Sequence, residues 1–298
     1  MVDAKMLDKV RSAPGFIAAL DQSGGSTPKA LLLYGIAETD YEGDEEMFRL
    51  MHAMRARIMK APAFTGDKVV GAILFERTMD GDVDGEPVPS YLWNKRGVVP
   101  FLKIDKGLAA EENGVQLMKP MPDLDALLIR GREKGIFGTK MRSVIASADK
   151  AGIADVVQQQ FEVARQIIAQ GLVPIIEPEI LINSPTKAEA ETILRDEIAQ
   201  QLDTLGPGED VMLKVTIPTV ADFYADLAAH KSVVRLVALS GGYSRVDACE
   251  KLSHNRDMIA SFSRALTENL RVSMSDADFD ASLAETIDGI YSASVNKA

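Results

Sequence analysis

The chain has little that could cross-link it: one cysteine, Cys249, and three histidines, His52, His230 and His254, in 298 residues. A single cysteine excludes an internal disulfide framework and fits a reducing compartment. The surrounding VDACEKL places Cys249 on the apolar side of a helix, as core filling. The histidines form no HxxH or HExxH pairing, so no zinc or other structural metal is expected, and each reads as a solvated or helix-end residue. No apolar run approaches the roughly 18 residues of a membrane span. The N-terminal MVDAKMLDKVRSAPGF has neither a signal-peptide core nor an Arg-rich transit composition, which predicts a cytoplasmic protein. Basic charge is also short, with 33 Lys and Arg against 44 Asp and Glu and a net charge of −11. Such a field repels polyanions, so neither nucleic acid nor an anionic membrane is an expected partner, and a phosphate-bearing ligand needs a local basic cluster. No linker or low-complexity tract divides residues 1–298, which predicts one domain.

What is present is a 46% apolar composition arranged in short runs. Strands are expected at 15–23, 69–76, 98–105, 138–145, 172–180, 211–218, 233–240 and 258–265. Helical spacing of apolar residues recurs at 44–61, 153–171, 187–206, 220–230, 243–252 and 276–294. Arg77 to Gly97 is polar, rich in Gly and Pro and without helical period, and is expected as a long loop. Eight runs apolar on both faces, with helices between most of them, predict the α/β class: a (β/α)8 TIM barrel.

Chemistry in such a barrel gathers where strands end, and polar residues accumulate there. They are Asp21, Ser23 and Ser26; Lys103, Asp105 and Lys106; Lys140 and Arg142; Glu177 and Glu179; Lys214 and Thr216; Ser240, Gly241 and Gly242; Ser263 and Arg264. Lys214 interrupts the apolar VMLKVTIP, where an unpaired ammonium is costly to bury. Lys103, Lys140 and Lys214 converging on one rim should lower lysine pKa values by repulsion and desolvation, leaving a neutral amine able to form a Schiff base with a carbonyl. For Lys214 taken alone, a structural pairing with a carboxylate is the alternative. Glu177 and Glu179, two apart on a strand, share a face suited to proton transfer, and Asp21 faces the same mouth. LSGG at 239–242 before a helix offers backbone N–H groups to an anion, and Arg264 adds a guanidinium fork.

The motifs ALDQSGGS, GAILFERT, FLKIDKG, GVQLMKP, GTKMRS, PIIEPEIL, MLKVTIP, LSGGYS and SFSRAL occur in one order along nearly the whole chain. Together they resemble class I fructose-1,6-bisphosphate aldolases, the metal-independent Schiff-base kind, in a short bacterial form. The resemblance implies reversible cleavage of fructose 1,6-bisphosphate to dihydroxyacetone phosphate and glyceraldehyde 3-phosphate in glycolysis and gluconeogenesis, with no cofactor. It implies Lys214 as the Schiff-base lysine, Glu177 as acid/base, Asp21 as the base for the C4 hydroxyl and Lys140 as an electrostatic assistant. Lys103 and Arg142 would lie near the substrate hydroxyls and second phosphate, and Ser240, Gly241 and Arg264 would hold the first phosphate. Ser23, Ser26, Glu179, Gly242 and Ser263 are further expected substrate-binding residues. Asp21 is followed by Gln-Ser-Gly-Gly where animal members have Glu-Ser-Thr-Gly, and Ala30, beside Lys29, stands where they have arginine. The long C-terminal tail ending in tyrosine is missing, and Tyr291 reads as a helix-core residue.

Two alternatives stay open on sequence: another barrel Schiff-base aldolase or transaldolase, and a sugar-phosphate-binding protein on an inactive barrel. The expected partners are small sugar phosphates. The sequence leaves open the oligomeric state and the choice between fructose and sedoheptulose bisphosphates.

Overall fold

The computed structural model describes residues 2–298. Eight parallel strands follow chain order around a barrel: β1 (Phe16–Leu20), β2 (Val69–Leu74), β3 (Val99–Lys103), β4 (Gly138–Ile145), β5 (Val173–Ile180), β6 (Val211–Thr216), β7 (Val233–Leu239) and β8 (Met258–Ala260). Neighbouring strands are paired from β1 through to β8, and one backbone bond, from Ala19 N to Phe262 O at 3.2 Å, links the two ends of the sheet. The main helices are α1 (Ala4–Ser12), α2 (Ser26–Tyr34), α3 (Gly43–Lys60), α4 (Leu124–Glu133), α5 (Lys150–Ala169), α6 (Lys187–Leu202), α7 (Arg245–Ser253) and α8 (Asp276–Val295). Among the described residues no helix is long and apolar enough to cross a membrane.

The strands are buried on both faces, which is why they read as continuous apolar runs. Outward residues pack against the helices, as Phe161 and Ile167 of α5 and Phe279 and Leu283 of α8 show. Inward residues of the amino-terminal half, among them Ile17, Ile73, Phe101, Ile175, Met212 and Val237, form a separate apolar plug closed from below by Met6 and Val10 of α1. Arg235 fastens α1 there, donating to the carbonyls of Arg11 and Ala13 at 2.6 Å each.

The sequence reading left 4–12, 26–34 and 124–133 without helices, and three other expectations change. The Arg77–Gly97 stretch, expected as a loop, holds a helical turn at Glu76–Asp80, a hairpin of Asp82–Val83 with Glu86–Pro87, and helical turns at Val88–Ser90 and Tyr91–Arg96. These pieces are too short to carry a hydrophobic period, yet Val88 and Leu92 are fully buried. Of the helix expected at 220–230 only Ala225–Ala228 forms, because Asp222 adopts a left-handed φ of 58° and turns its carboxylate to the backbone and side chain of Arg256. The last strand stops at Ala260, so Ser263 and Arg264 lie at the start of a short helix, Arg264–Thr267.

Phe101 fills the barrel centre only because its neighbours on both sides are glycine. A Cβ on Gly71 would lie 2.8 Å from its ring, and one on Gly138 would lie 3.0 Å from the ring and 2.2 Å from Val173 O. Gly138→Ala should therefore lower stability by about 1–3 kcal/mol, the usual cost of overpacking a core. A urea midpoint equal to that of the parent would show that the strands can part there at no cost.

Candidate active site

Along four strands the inward series turns from apolar to charged at or just past the carboxyl end: Ile17, Ala19, Asp21 from β1; Phe101, Lys103, Asp105 from β3; Ile175, Glu177, Glu179 on β5; Met212, Lys214 on β6. Side chains two apart share a face, so one strand supplies both plug and site. The mouth is a cavity of about 650 Å³, in the range that encloses a small ligand.

Its floor is a chain of alternating charges. Lys214 Nζ lies 3.0 Å from Glu177 Oε1, and Lys140 Nζ lies 3.1 Å from Glu177 Oε2, 2.8 Å from Asp21 Oδ2 and 3.9 Å from Asp105 Oδ2. Lys103 Nζ closes the chain at 2.7 Å from Asp105 Oδ1. Lys140, Lys214, Glu177, Asp105 and Asp21 are all buried, with Lys103 partly so. The lysines were expected to perturb each other by repulsion, but a carboxylate stands between each pair. Burial alone would lower the Lys140 pKa, and Asp21, Glu177 and Asp105 outweigh it and raise it. Burial would likewise raise Asp21, but Lys140, Lys214 and Lys103 hold its carboxyl well below the usual range. Lys140 is thus held as a cation and Asp21 as an anion in the resting site.

Glu177 Oε2 and Asp105 Oδ2 are buried and ion-paired with Lys140 at 3.1 and 3.9 Å, but neither meets hydrogen-bond geometry, so each keeps acceptor capacity toward the cavity. The sheet is arranged around Glu177: past Ile176 the pairing of β5 with β6 stops, and the Glu177 N–H donates to Gln160 of α5 at 2.8 Å. Thr216 then stitches the two strands, its hydroxyl donating to Ile180 O at 2.7 Å and accepting from Ile180 N at 3.0 Å. That makes Thr216, one of the expected polar rim residues, a structural clasp. Arg142 reaches the rim and binds Glu179 at 2.7 Å.

Beyond the lysines, Ser240, Gly241, Ser263 and Arg264 line the cavity after β7 and β8, and Ser23, Ser26 and Lys29 line it after β1. Gly241 and Gly242 have φ of 60° and 113°, and a Cβ on Gly241 would sit 2.6 Å from Ile182. Only glycine permits that tight turn, which presents Ser240 and the N-terminal turn of α7. Gly242 does not line the cavity; a Cβ there would meet the Arg264 guanidinium only at an ordinary 3.4 Å, so glycine is called for by the left-handed φ rather than by space. Ser26 is partly committed to its own turn, donating to Ser23 O at 2.8 Å. Lys106 faces away and pairs with Glu76 at 2.9 Å. Among the described residues neither Lys29 nor Arg264 belongs to an ion pair. Cys249 and Tyr291 are partly buried against the core.

Gln22, Ser261 and Arg55 were missed. Gln22 and Ser261 line the cavity. Arg55 lies beneath, 1% exposed, and its place on the Met51–Arg55–Ile58 stripe of α3 is a helical-period signal that could have found it. Lys140→Met should cost about 3–5 kcal/mol near neutral pH, because three buried carboxylates lose their common cation. The depressed Asp21 pKa contributes stability above its unfolded value of about 3.9, lost as pH falls toward the folded value, so the gap between parent and variant should narrow below about pH 4. Chemical denaturation from pH 7 down to pH 3 measures it; a constant gap would exclude Lys140 as the source.

The model of the family "Fructose-bisphosphate aldolase class-I" matches residues 8–216. A curated relative from Synechocystis sp., named fructose-bisphosphate aldolase class 1, is 56% identical over 291 residues, covering 98% of this chain and 97% of the relative. Among solved structures, fructose-bisphosphate aldolase from Plasmodium falciparum superposes with a TM-score of 0.78 at 21% identity, over 99% of this chain and 94% of that one. A Corynebacterium glutamicum protein superposes at 0.57 with 13% identity, over 97% and 91%. These last two show the shared barrel fold; the family match and the Synechocystis relative show that this chain belongs to the class I fructose-bisphosphate aldolases, which work without a metal.

Proposed function

We infer that the protein cleaves fructose 1,6-bisphosphate reversibly to dihydroxyacetone phosphate and glyceraldehyde 3-phosphate through a Schiff base on Lys214, working as one barrel domain on free sugar phosphates in the cytoplasm. The observation that carries this is the Lys214 amine buried at the cavity floor, 3.0 Å from a carboxylate able to take its proton. Two basic groups of the cavity lining, Arg264 after β8 with the Ser240–Gly241 turn after β7, and Lys103 with Arg142 from β3 and β4 across the barrel, suit a ligand with a phosphate at each end. Glu177 accepts a proton from Lys214 while Lys140 keeps its own, so the free amine attacks the C2 ketone. The resulting carbinolamine loses water as Glu177 returns a proton to the departing hydroxyl. Asp21 then takes the C4 hydroxyl proton, the C3–C4 electron pair flows into the iminium, and the aldehyde product leaves. Protonation of the enamine at C3 and addition of water release dihydroxyacetone phosphate and restore the lysine. Arg142 and Lys103 are placed to orient hydroxyls or the second phosphate.

Lys214→Met should abolish turnover with the fold intact, since an apolar side chain suits that strand. Borohydride reduction with dihydroxyacetone phosphate should add the reduced ligand to the Lys214 peptide; an unmodified peptide with turnover retained would refute the mechanism. Arg264→Ala should raise KM roughly tenfold or more, the loss of one charge-assisted contact, and an unchanged KM would remove Arg264 from the phosphate site.

A further inference from the structure

Beneath the Ser263–Arg264 wall lies a cation outside the mechanism above. Arg55 is 1% exposed, and among the described residues no carboxylate lies within ion-pair distance of it. Burial pushes its pKa down to about 10, partly offset by Asp21, which still leaves it charged at neutral pH. In place of a counter-ion it has neutral acceptors. Nη1 donates to Thr78 Oγ1 at 2.7 Å, and Nη2 donates to Gln22 O at 2.5 Å and to Gln22 Oε1 at 3.3 Å. Its Nε has no partner. The Gln22 amide nitrogen in turn donates to Ser263 Oγ at 2.7 Å.

These contacts have a direction. A guanidinium only donates, so the Gln22 amide must turn its oxygen toward Arg55 and its NH2 toward Ser263. Ser263 Oγ then receives a hydrogen bond from protein, and its own hydrogen is left to be given elsewhere. Ser263 lines the cavity beside Arg264, so what it meets there is the ligand. The contact also lies at the weakest part of the barrel. Between β1 and β8 a single backbone bond closes the sheet, at Ala19 and Phe262, and the Gln22 to Ser263 bond continues that closure toward the mouth.

We propose that Arg55 and Gln22 are positioning residues that set the Ser263 hydroxyl as a hydrogen-bond donor to the substrate phosphate, Arg55 orienting the amide and the amide orienting the hydroxyl. This rests on the reading of the Ser240, Ser263 and Arg264 wall as a phosphate site. A charged anchor is suited to the task because an amide held only by neutral groups could flip, presenting its oxygen to Ser263 and drawing the hydroxyl hydrogen away from the ligand. Neither Arg55 nor Gln22 need touch the reacting atoms.

The test is steady-state cleavage of fructose 1,6-bisphosphate by the full chain, with inorganic phosphate as competing inhibitor, for the parent, Gln22→Met, Ser263→Ala, Arg55→Lys and the Gln22→Met/Ser263→Ala pair. Each single change should raise KM and the phosphate inhibition constant roughly threefold to tenfold, one hydrogen bond's worth, with a smaller fall in kcat. The double variant should be no worse than Ser263→Ala, because both changes act through one hydroxyl. An unchanged KM and inhibition constant in Gln22→Met or Ser263→Ala, or effects that multiply in the pair, would overturn the relay. Gln22 and Ser263 are only partly buried, so their cycle decides the matter even if Arg55→Lys fails to fold. A parent that neither cleaves the bisphosphate nor is inhibited by phosphate would remove the phosphate reading and the relay together, whereas an active parent with unmoved variants removes the relay alone.

Discussion

The mouth depends on one constraint: buried ammonium and carboxylate groups must alternate. A charge taken out of water costs several kcal/mol unless a partner stands beside it, so none of these side chains could be accommodated singly. Lys140 is the centre, reaching Asp21 from β1, Asp105 after β3 and Glu177 from β5, with Lys214 of β6 joined through Glu177. Five of the six strands from β1 to β6, all but β2, are thereby tied at their carboxyl ends by charge rather than by apolar packing. The three lysines and three carboxylates balance, which makes the floor neutral and leaves Arg264 and Lys29 on the walls to attract anions. A protein with a net charge of −11 can in this way still receive a phosphorylated ligand.

The two halves of the barrel divide stability from chemistry. Below, Phe101, Ile175, Met212 and the residues of α1 make a dry plug that fixes strand spacing. Above, the same inward positions become polar. The ladder is relaxed where the chemistry needs it: Glu177 leaves the β5–β6 pairing and takes its backbone partner from Gln160, while Thr216 restores the connection one turn of the pleat later. Glu177 Oε2 and Asp105 Oδ2, ion-paired with Lys140 but outside hydrogen-bond geometry, keep acceptor capacity at the mouth, in keeping with the proposed hydroxylated ligand.

Much of this was legible in the chain. Strands buried on both faces read as apolar runs, and β4, β5 and β6 lie within two residues of where those runs place them. Lys214 stood out because a lysine in VMLKVTIP contradicts its surroundings unless it has a partner or a task. The rest escaped for physical reasons. The helix of 26–34 carries Pro28 and that of 124–133 carries Gly131, which blur the pattern. Arg55 reads as solvated because arginine usually is, and its burial follows only from how α3 rotates against the sheet. Repulsion among the lysines was the natural reading of three like charges on one rim; it fails because the intervening carboxylates come from other strands, whose distances a sequence does not contain.

By itself the sequence determined the barrel, the family motifs and most of the charged side chains that meet at the mouth, because periodicity and strand ends are local properties. Only the tertiary structure decided which charge faces which: that Lys140 stays protonated, that Glu177 serves two amines, that Gly242 shapes the turn behind the cavity rather than lining it. Electrostatic energy depends on separation and on burial, and both are set by how the strands close around the axis.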